Sequence, residues 1–168
     1  LNAALAFSLL KIAEFDKDKS LLDAFCGDGI ILIEAALLGG KKLYGFGNDI
    51  KNASINSKVA NVKLSLHDKD LNWISTLLKK NSLDLIITKP LFPSKKKSVN
   101  FVDKITRELF IQADCVLKKN GKIILLTPKT EIIKKYAKLY KFNIEEILNI
   151  IYGKLDYKVL KLTRKSFK

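Results

Sequence analysis

The sequence predicts an α/β fold: a seven-stranded, mostly parallel sheet with helices on both faces and an antiparallel edge strand. Helical and strand patterns alternate along the 168 residues, and strands separated by helices form right-handed crossovers between parallel strands. Strands such as KIILLT at residues 122–127 are almost entirely apolar, which is typical of a sheet covered on both faces. Only a short turn around Gly153 joins the last two strands, so we expect them to pair antiparallel at one edge.

Apolar spacing and turn residues define the elements of the first half of the chain. Residues 2–15 have helical periodicity, and residues 20–25 form an apolar strand. A helix over 30–38 is ended by Gly39 and Gly40, and a strand over 42–47 ends at Asn48 and Asp49. A helix over 51–62, a strand over 63–66 and a helix over 73–80 follow, with Trp73 and the apolar positions around it expected in the core.

The second half continues the alternation. Residues 83–88 (LDLIIT) form a strand, which a loop rich in proline and lysine follows. A long helix over 99–117 is expected to end at the turn of Asn120 and Gly121. A strand over 122–127, a helix over 131–140 and strands over 142–151 and 158–163 complete one expected domain, 1–168. The chain contains no Met, so we expect a piece of a longer protein with an upstream RNA-binding domain.

The composition favours a nucleic-acid partner and argues against a membrane protein. No apolar run reaches the roughly 18 residues of a membrane span, and the N-terminus lacks the basic region and cleavage site of a signal peptide. The net charge is +14, and a basic surface gains affinity for nucleic acid through counterion release. Only two of the 31 basic residues are arginines, so the alternative explanation of the lysines is an AT-rich genome or heat adaptation. Two distant cysteines without a CxxC pair predict neither a metal site nor a disulfide, and favour a reducing, cytoplasmic setting.

A glycine turn after the first strand and acidic residues after the first three strands predict a nucleoside site. Ligands of a doubly wound sheet bind beyond the carboxyl ends of the strands, and Gly27 and Gly29 let the backbone turn sharply there. The full GxGxxG spacing is absent, and Asp23 and Asp28 would repel a pyrophosphate, which disfavours a nicotinamide dehydrogenase. Asp49 is placed to accept the ribose hydroxyls, and Asp68, with Asp70 as its rival, to accept an adenine amino group.

The segment LLDAFCGDGIILIEAALLG resembles the first motif of class I S-adenosylmethionine-dependent methyltransferases, and most of all the RNA methylase branch that often carries a THUMP domain. Its pattern D-P-F-C-G-S-G-T-I-L-I-E-A-A is matched except at Ala24, Asp28 and Ile30. The resemblance extends to nearly the whole chain and implies a Rossmann-like sheet with strand order 3-2-1-4-5-7-6. It implies S-adenosyl-L-methionine as the cofactor, with this expected binding set: Asp23, Phe25, Cys26, Gly27, Gly29, Asn48, Asp49, Ile50, Asp68 and Lys69.

The fourth strand is followed by Lys89-Pro90-Leu91-Phe92, where amino-methylating relatives have Asn or Asp, then Pro-Pro, then Tyr or Phe. In that pattern a side-chain oxygen and a backbone carbonyl hold the N–H groups of an exocyclic amine, and the aromatic ring stacks on an unpaired base. Lysine offers three donors and no acceptor. Either Lys89 points away and the carbonyl beside Pro90 orients the amine, or amine methylation is lost or altered.

We expect Lys89, Pro90 and Phe92 to be the catalytic segment, and Lys95, Lys96 and Lys97 to contact RNA phosphates unless they form a merely solvated loop. Cys26 is interpreted as a small buried apolar residue and His67 as a polar residue at a strand end, whereas Glu34 is either a cofactor contact or a structural acid. The expected function is methylation of RNA, foremost the N2 amine of a guanine in tRNA. The alternatives are a catalytically impaired cofactor- or RNA-binding domain and a DNA adenine-N6 methylase.

Overall fold

The computed structural model describes residues 1–165 and has seven strands. They are β1 Ser20–Asp23, β2 Lys42–Gly47, β3 Ser65–Asp68, β4 Leu83–Thr88, β5 Leu117–Thr127, β6 Phe142–Tyr152 and β7 Leu155–Arg164. One sheet contains them all in the order β3-β2-β1-β4-β5-β7-β6. The first five are parallel, and β7 is antiparallel to both β5 and β6. The predicted strand order and the antiparallel edge are therefore confirmed.

Helices cover both faces of the sheet. They are α1 Ala3–Ile12, α2 Ile30–Leu37, α3 Lys51–Val59, α4 Ile74–Leu77, α5 Val99–Val116 and α6 Glu131–Leu139, with a 3-10 turn at Leu71–Trp73. Buried residues of α1, α2 and α3 form one apolar cluster with one face of the sheet, and those of α4, α5 and α6 form a second cluster with the other face. Adjacent β7 residues such as Val159 and Leu160 belong to different clusters, as strand alternation requires.

The topology places the ends of β1, β2, β3 and β4 along one edge of the sheet. Asp23 at the end of β1 pairs with Gly45, and Asp68 at the end of β3 pairs with Gly47. The chain runs outward from β1 to β3 and then crosses to β4 on the other side of β1. This reversal between β1 and β4 opens a crevice where doubly wound folds bind their ligands.

The predicted bounds of the long helix, 99–117, are confirmed to within one residue, but the turn expected at Asn120 and Gly121 is wrong, because both residues lie in the next strand. Helix α5 ends at Val116, and β5 begins at the next residue, fully buried Leu117. Lys118 forms an ion pair with Asp84 at 2.7 Å, which holds this extended segment against β4. The register with β4 shifts immediately afterwards, and a Cβ at Gly121 would lie 2.6 Å from a side-chain carbon of Leu117. Glycine therefore permits the irregular start of β5.

The prediction that Trp73 lies in the core is also wrong, since 44% of its surface is exposed. Its neighbours Leu71, Ile74 and Leu78 are buried, and the 3-10 turn leaves Trp73 on the outside. The ammonium nitrogen of Lys69 lies 5.1 Å from the centre of the Trp73 ring, a favourable cation–π contact. The third strand also starts and ends two residues later than expected, at Ser65–Asp68.

Among residues 1–165, no helix combines the length and apolar character that crossing a membrane requires.

Candidate functional site

Two adjacent clefts lie at the edge formed by the ends of the parallel strands. The larger cleft, about 370 Å³, lies between the ends of β2 and β3 and the loop that follows β4. The smaller cleft, about 150 Å³, lies between the end of β1, the start of α2 and Lys89. Phe25 and Gly27 line both clefts. The two spaces therefore meet at the glycine turn and can hold the two ends of one extended ligand.

At two positions of the glycine turn, the backbone has a left-handed conformation that only glycine adopts without strain. Gly27 has a φ angle of +47° and Gly29 a φ angle of +78°. A Cβ at Gly29 would also lie 3.0 Å from the Cβ of Ala53, so α3 approaches the turn closely. The amide of Asn56 donates a 2.9 Å hydrogen bond to the carbonyl oxygen of Asp28. The turn between β1 and α2 is thus fixed by contacts with α3.

The side chain of Asp28, which departs from the family pattern, takes part in the same contacts. Its Oδ1 accepts a hydrogen bond of 3.3 Å from the amide of Asn52. Asn52 and Asn56 are one helical turn apart on α3, so both face the glycine turn. These two asparagines were not among the residues expected at the site, although their i, i+4 spacing was a detectable signal.

Asp23 is a buried carboxylic acid at the head of the smaller cleft. Only 2% of its surface is exposed, and its Oδ1 accepts hydrogen bonds from the Thr88 hydroxyl at 2.6 Å and the Phe25 N–H at 3.1 Å. Burial raises the pKa of Asp23 to about 6, although both hydrogen bonds favour the ionised form. Within residues 1–165 it forms no ion pair. A cationic group of a ligand in the smaller cleft would therefore stabilise the carboxylate.

The structure brings Asn48, Asp49 and Lys69 together along the larger cleft. Asp49 is exposed at the end of β2, and its Oδ1 accepts a 3.3 Å hydrogen bond from the Lys51 N–H. Of the two candidates for the adenine contact, Asp70 lines the larger cleft and Asp68 does not. Asp68 ends β3 and pairs with Gly47. The geometry therefore favours Asp70.

Ile50 and Glu34 line neither cleft. Ile50 packs against the cluster of α1 and α2, which makes it a support of the site. Glu34 lies in the second half of α2. Its backbone carbonyl accepts a hydrogen bond from the N–H of Leu38, where the helix ends.

The surroundings of Cys26 and His67 agree with their interpretation as a small buried apolar residue and a polar residue near a strand end. Cys26 lines the smaller cleft but is 5% exposed, and burial, aided by the charge of Asp23, raises the pKa of its thiol to about 12. A thiol of that pKa is not a nucleophile at neutral pH. The ring of His67 stacks on Phe46 at 4.7 Å, and Nε2 lies 3.0 Å from the Ser65 hydroxyl. Partial burial lowers the pKa of His67.

The segment after β4 meets a residue that the sequence did not indicate, Tyr157 of β7. The ammonium nitrogen of Lys89, which lines the smaller cleft, lies 5.1 Å from the centre of the Tyr157 ring. The ring of Phe92 meets the same ring edge to face at 6.3 Å. Pro90 between them is buried. Tyr157 thus joins the expected catalytic segment to the edge of the sheet.

The three lysines of the loop are not equivalent. The backbones of Ser94 and Lys97 exchange two hydrogen bonds of 3.0 and 3.1 Å, which close a tight turn. Lys95 and Lys96 at its tip are exposed, whereas Lys97 is half-buried and lines the larger cleft with Leu91 and Phe101. Only Lys95 and Lys96 therefore face outward from the site.

In the part of the chain that the structure describes, no three His, Cys, Asp or Glu side chains are grouped as metal ligands.

Comparison with known proteins relates the chain to methyltransferases. Residues 1–158 match the profile of the family described as UPF0020, RMKL-like methyltransferase domain. The chain is 26% identical, over 205 aligned positions, to tRNA (guanine(6)-N2)-methyltransferase of Methanocaldococcus jannaschii, and the alignment covers 97% of this chain and 54% of that protein.

Two solved structures share the fold. TrmN from Thermus thermophilus superposes with a TM-score of 0.84 at 21% identity, over 98% of this chain and 49% of that one. SMU.472, whose structure contains SAH, superposes with a TM-score of 0.78 at 17% identity, over 99% of this chain and 53% of that one. The chain thus spans about half the length of each of these three proteins.

Proposed function

The chain belongs to the family of RMKL-like methyltransferase domains, and on this premise we propose that it methylates the N2 amine of a guanine in RNA, foremost in tRNA, with S-adenosyl-L-methionine as methyl donor. The main support for the proposal is the match of residues 1–158 to this family. The ends of the parallel strands also have the carboxylates expected for such a site. The tRNA guanine-N2 activity of the relative from Methanocaldococcus jannaschii supports the choice of substrate.

The two clefts fit the two ends of S-adenosyl-L-methionine. The buried carboxylate of Asp23 lacks a cationic partner within residues 1–165 and suits the ammonium group of the methionine end. Exposed Asp49 suits the ribose hydroxyls, and Asp70 suits the adenine amino group. Gly27, with its positive φ, lets the backbone lie close to the ligand between the two ends. The SAH bound in SMU.472 supports the same cofactor class.

When bound, the cofactor supplies an electrophilic methyl group on a positively charged sulfur. The chain has to hold an unpaired base next to it, and positioning of that kind lowers a reaction barrier strongly. Phe92 offers a ring on which the base can stack, an interaction of about 1–3 kcal/mol. The backbone carbonyl beside Pro90 can accept an N–H of the target amine, because the Lys89 side chain has no acceptor.

Nucleoside analysis after incubation with labelled cofactor tests this function. The chain is incubated with unmodified tRNA and, in a parallel reaction, with unmethylated DNA, and the digested nucleosides are separated and identified by mass spectrometry. We expect label in N2-methylguanosine, and much less with Asp49→Ala. Label in an adenine of DNA and none in tRNA would instead assign the chain to the adenine-N6 methylases, and this result would contradict the proposal.

A second candidate function, binding without transfer, is favoured by Lys89 alone. This lysine lines the smaller cleft, where an ammonium group would oppose the positive sulfur of the cofactor. A chain that binds both SAH and tRNA but transfers no methyl group would have this function.

We also propose that the intact protein has an upstream RNA-binding domain and acts in the cytoplasm. The half-length coverage of the relatives leaves room for such a domain. The chain's net charge of +14 supports RNA as the partner.

A further inference from the structure

The turn of the β6–β7 hairpin lies at the same edge of the sheet as the two clefts. Strand β7 runs antiparallel to β5, and its Lys158 pairs with Thr127, the last residue of β5. Residues 155–157 therefore continue past the end of β5, toward the loop that follows β4. We call residues 89–97 the acceptor loop.

Tyr157 brings the hairpin into contact with the acceptor loop. It is 4% exposed, and its ring meets both Phe92 and the ammonium group of Lys89. A buried aromatic residue in this position fixes the distance between the hairpin and the loop. The hairpin therefore borders the ring of Phe92, on which the target base would stack.

Strand alternation assigns the exposed residues of the hairpin turn to different faces. Leu155 lies on the same face as Tyr157, two residues along β7, and 42% of its surface is exposed. Ile151 pairs with Asp156, so these two lie on the opposite face. Ile151 is 81% exposed. Leu155 therefore extends the face that borders Phe92, whereas Ile151 does not.

Exposed lysines of the hairpin turn and of the acceptor loop complement a phosphate backbone. Lys154 in the turn is exposed, as are Lys95 and Lys96 at the tip of the acceptor loop. The acidic residue of the turn, Asp156, is on the face of β7 opposite to Tyr157. An exposed apolar side chain next to an exposed lysine suits a nucleic-acid strand whose bases are unpaired.

We propose that Leu155 contacts the nucleotide next to the target base, so that the hairpin and Phe92 hold one unpaired segment of RNA between them. The inference rests on the proposed function, because it assumes that the target base enters beside Phe92. Apolar side chains that insert between bases help to keep a target nucleotide out of its stack.

Two serine variants separate this role from a general effect of the hairpin surface. Leu155→Ser and Ile151→Ser each remove an exposed apolar side chain from the same turn, on opposite faces. The probe is unmodified tRNA, with binding followed by fluorescence anisotropy and transfer by kcat/KM for tRNA. We expect Leu155→Ser to lower kcat/KM about tenfold and Ile151→Ser to change it less than about twofold. Leu155→Tyr, which can stack on a base, should retain activity.

Binding of SAH, measured by calorimetry, serves as the control for folding and should be equal in all of these variants. Equal activities of the two serine variants would overturn the inference and leave the proposed function intact, provided that the unaltered chain methylates tRNA. If the unaltered chain neither binds nor methylates tRNA, that result contradicts both the inference about Leu155 and the proposed function. Loss of a dimer in Leu155→Ser, with unchanged tRNA binding, would assign the face to a second copy of the chain and would also overturn the inference.

Discussion

The hydroxyl of Thr88 donates a 2.6 Å hydrogen bond to Oδ1 of Asp23, so the ends of β4 and β1 share one buried contact. The Thr88 hydroxyl also accepts a 3.2 Å hydrogen bond from the Phe25 N–H. Thr88 itself is completely buried. This pair lies where the strand order reverses, holds the carboxylate of Asp23 in position beside the smaller cleft and favours its ionised form against the effect of burial.

Asp23→Asn is expected to stabilise the fold and weaken cofactor binding. A buried carboxylate with a raised pKa costs free energy when it is charged, whereas an amide can keep both Oδ1 hydrogen bonds. At pH 8 we expect the free energy of unfolding to rise by about 1–3 kcal/mol, as one pKa unit corresponds to about 1.4 kcal/mol. Affinity for SAH should fall about tenfold or more. Urea unfolding and calorimetry measure the two effects, and a drop in stability at pH 8 would contradict them.

The pH dependence of stability should carry the signature of Asp23. Its folded pKa of about 6 exceeds the unfolded value of 3.8, so the native state binds more protons between these limits. The contribution of Asp23 is therefore most favourable below about pH 4 and declines as the pH rises to about 6. Cys26 and Lys89 line the same cleft and are present in both proteins. The difference in unfolding free energy between the unaltered chain and Asp23→Asn therefore reports the contribution of Asp23 alone. A difference that stays constant from pH 4 to pH 8 would refute the assignment.

SAH binding should depend on pH in the opposite direction. A cationic ammonium group favours ionised Asp23, so affinity should increase from pH 5 to pH 7, and binding near pH 5.5 should release a proton. Calorimetry in buffers of different ionisation enthalpy measures that proton. Its absence would mean that Asp23 does not contact the ammonium group.

Thr88→Val should reduce cofactor affinity through Asp23. Without the Thr88 hydroxyl, the ionised carboxylate loses its shortest hydrogen bond, so the pKa of Asp23 should rise further. The affinity for SAH should fall several-fold at pH 7 and recover at pH 8.5. Thr88→Ser keeps a hydroxyl and should behave nearly as the unaltered chain. A pH-independent loss in Thr88→Val would instead indicate a packing defect.

Gly29→Ala should destabilise the fold more than Gly153→Ala. Both glycines have positive φ angles, +78° and +66°. A Cβ at Gly29 would meet Ala53 at 3.0 Å, whereas a Cβ at Gly153 would have no neighbour within 4 Å. Left-handed backbone alone costs alanine about 1–2 kcal/mol, so the excess in Gly29→Ala reports the contact with α3. Chemical unfolding of both variants measures it, and equal losses would refute the steric argument.

Lys89→Asn should increase methyl transfer. Asparagine restores a side-chain oxygen that can accept an N–H of the target amine, and it removes a positive charge from the smaller cleft. We expect kcat to rise about tenfold or more, with tRNA affinity changed little. Lys89→Gln, which has an oxygen on a longer side chain, is the matched control. A fall in kcat in both variants would show that Lys89 itself assists the reaction.

The parallel sheet could be predicted because burial on both faces leaves a plain signal, whereas the strand order followed only from the resemblance to class I methyltransferases. The apolar strands β1, β4 and β5, the glycine turn and the acid after β2 are local patterns. Trp73 could not be placed correctly, because a 3-10 turn changes which positions face the core. The early start of β5 was missed because buried Leu117 and the Lys118–Asp84 ion pair favour an extended backbone where the glycine suggested a turn.

The contacts between distant parts of the chain could not be predicted from local patterns. The hydrogen bond from Thr88 to Asp23 joins residues 65 positions apart, on neighbouring strands. The contact of Tyr157 with Lys89 depends on the register of β7 against β5, in which Lys158 pairs with Thr127. A sequence pattern identifies the ends of strands, but only the register determines which side chains meet there.

Calorimetric titration of the chain with S-adenosylhomocysteine tests most directly whether this edge of the sheet is a cofactor site. The account predicts one bound ligand per chain with a dissociation constant below about 1 mM, and a marked loss of affinity in Asp49→Ala. No heat at about millimolar ligand, from a chain that unfolds cooperatively and is therefore well folded, would contradict it.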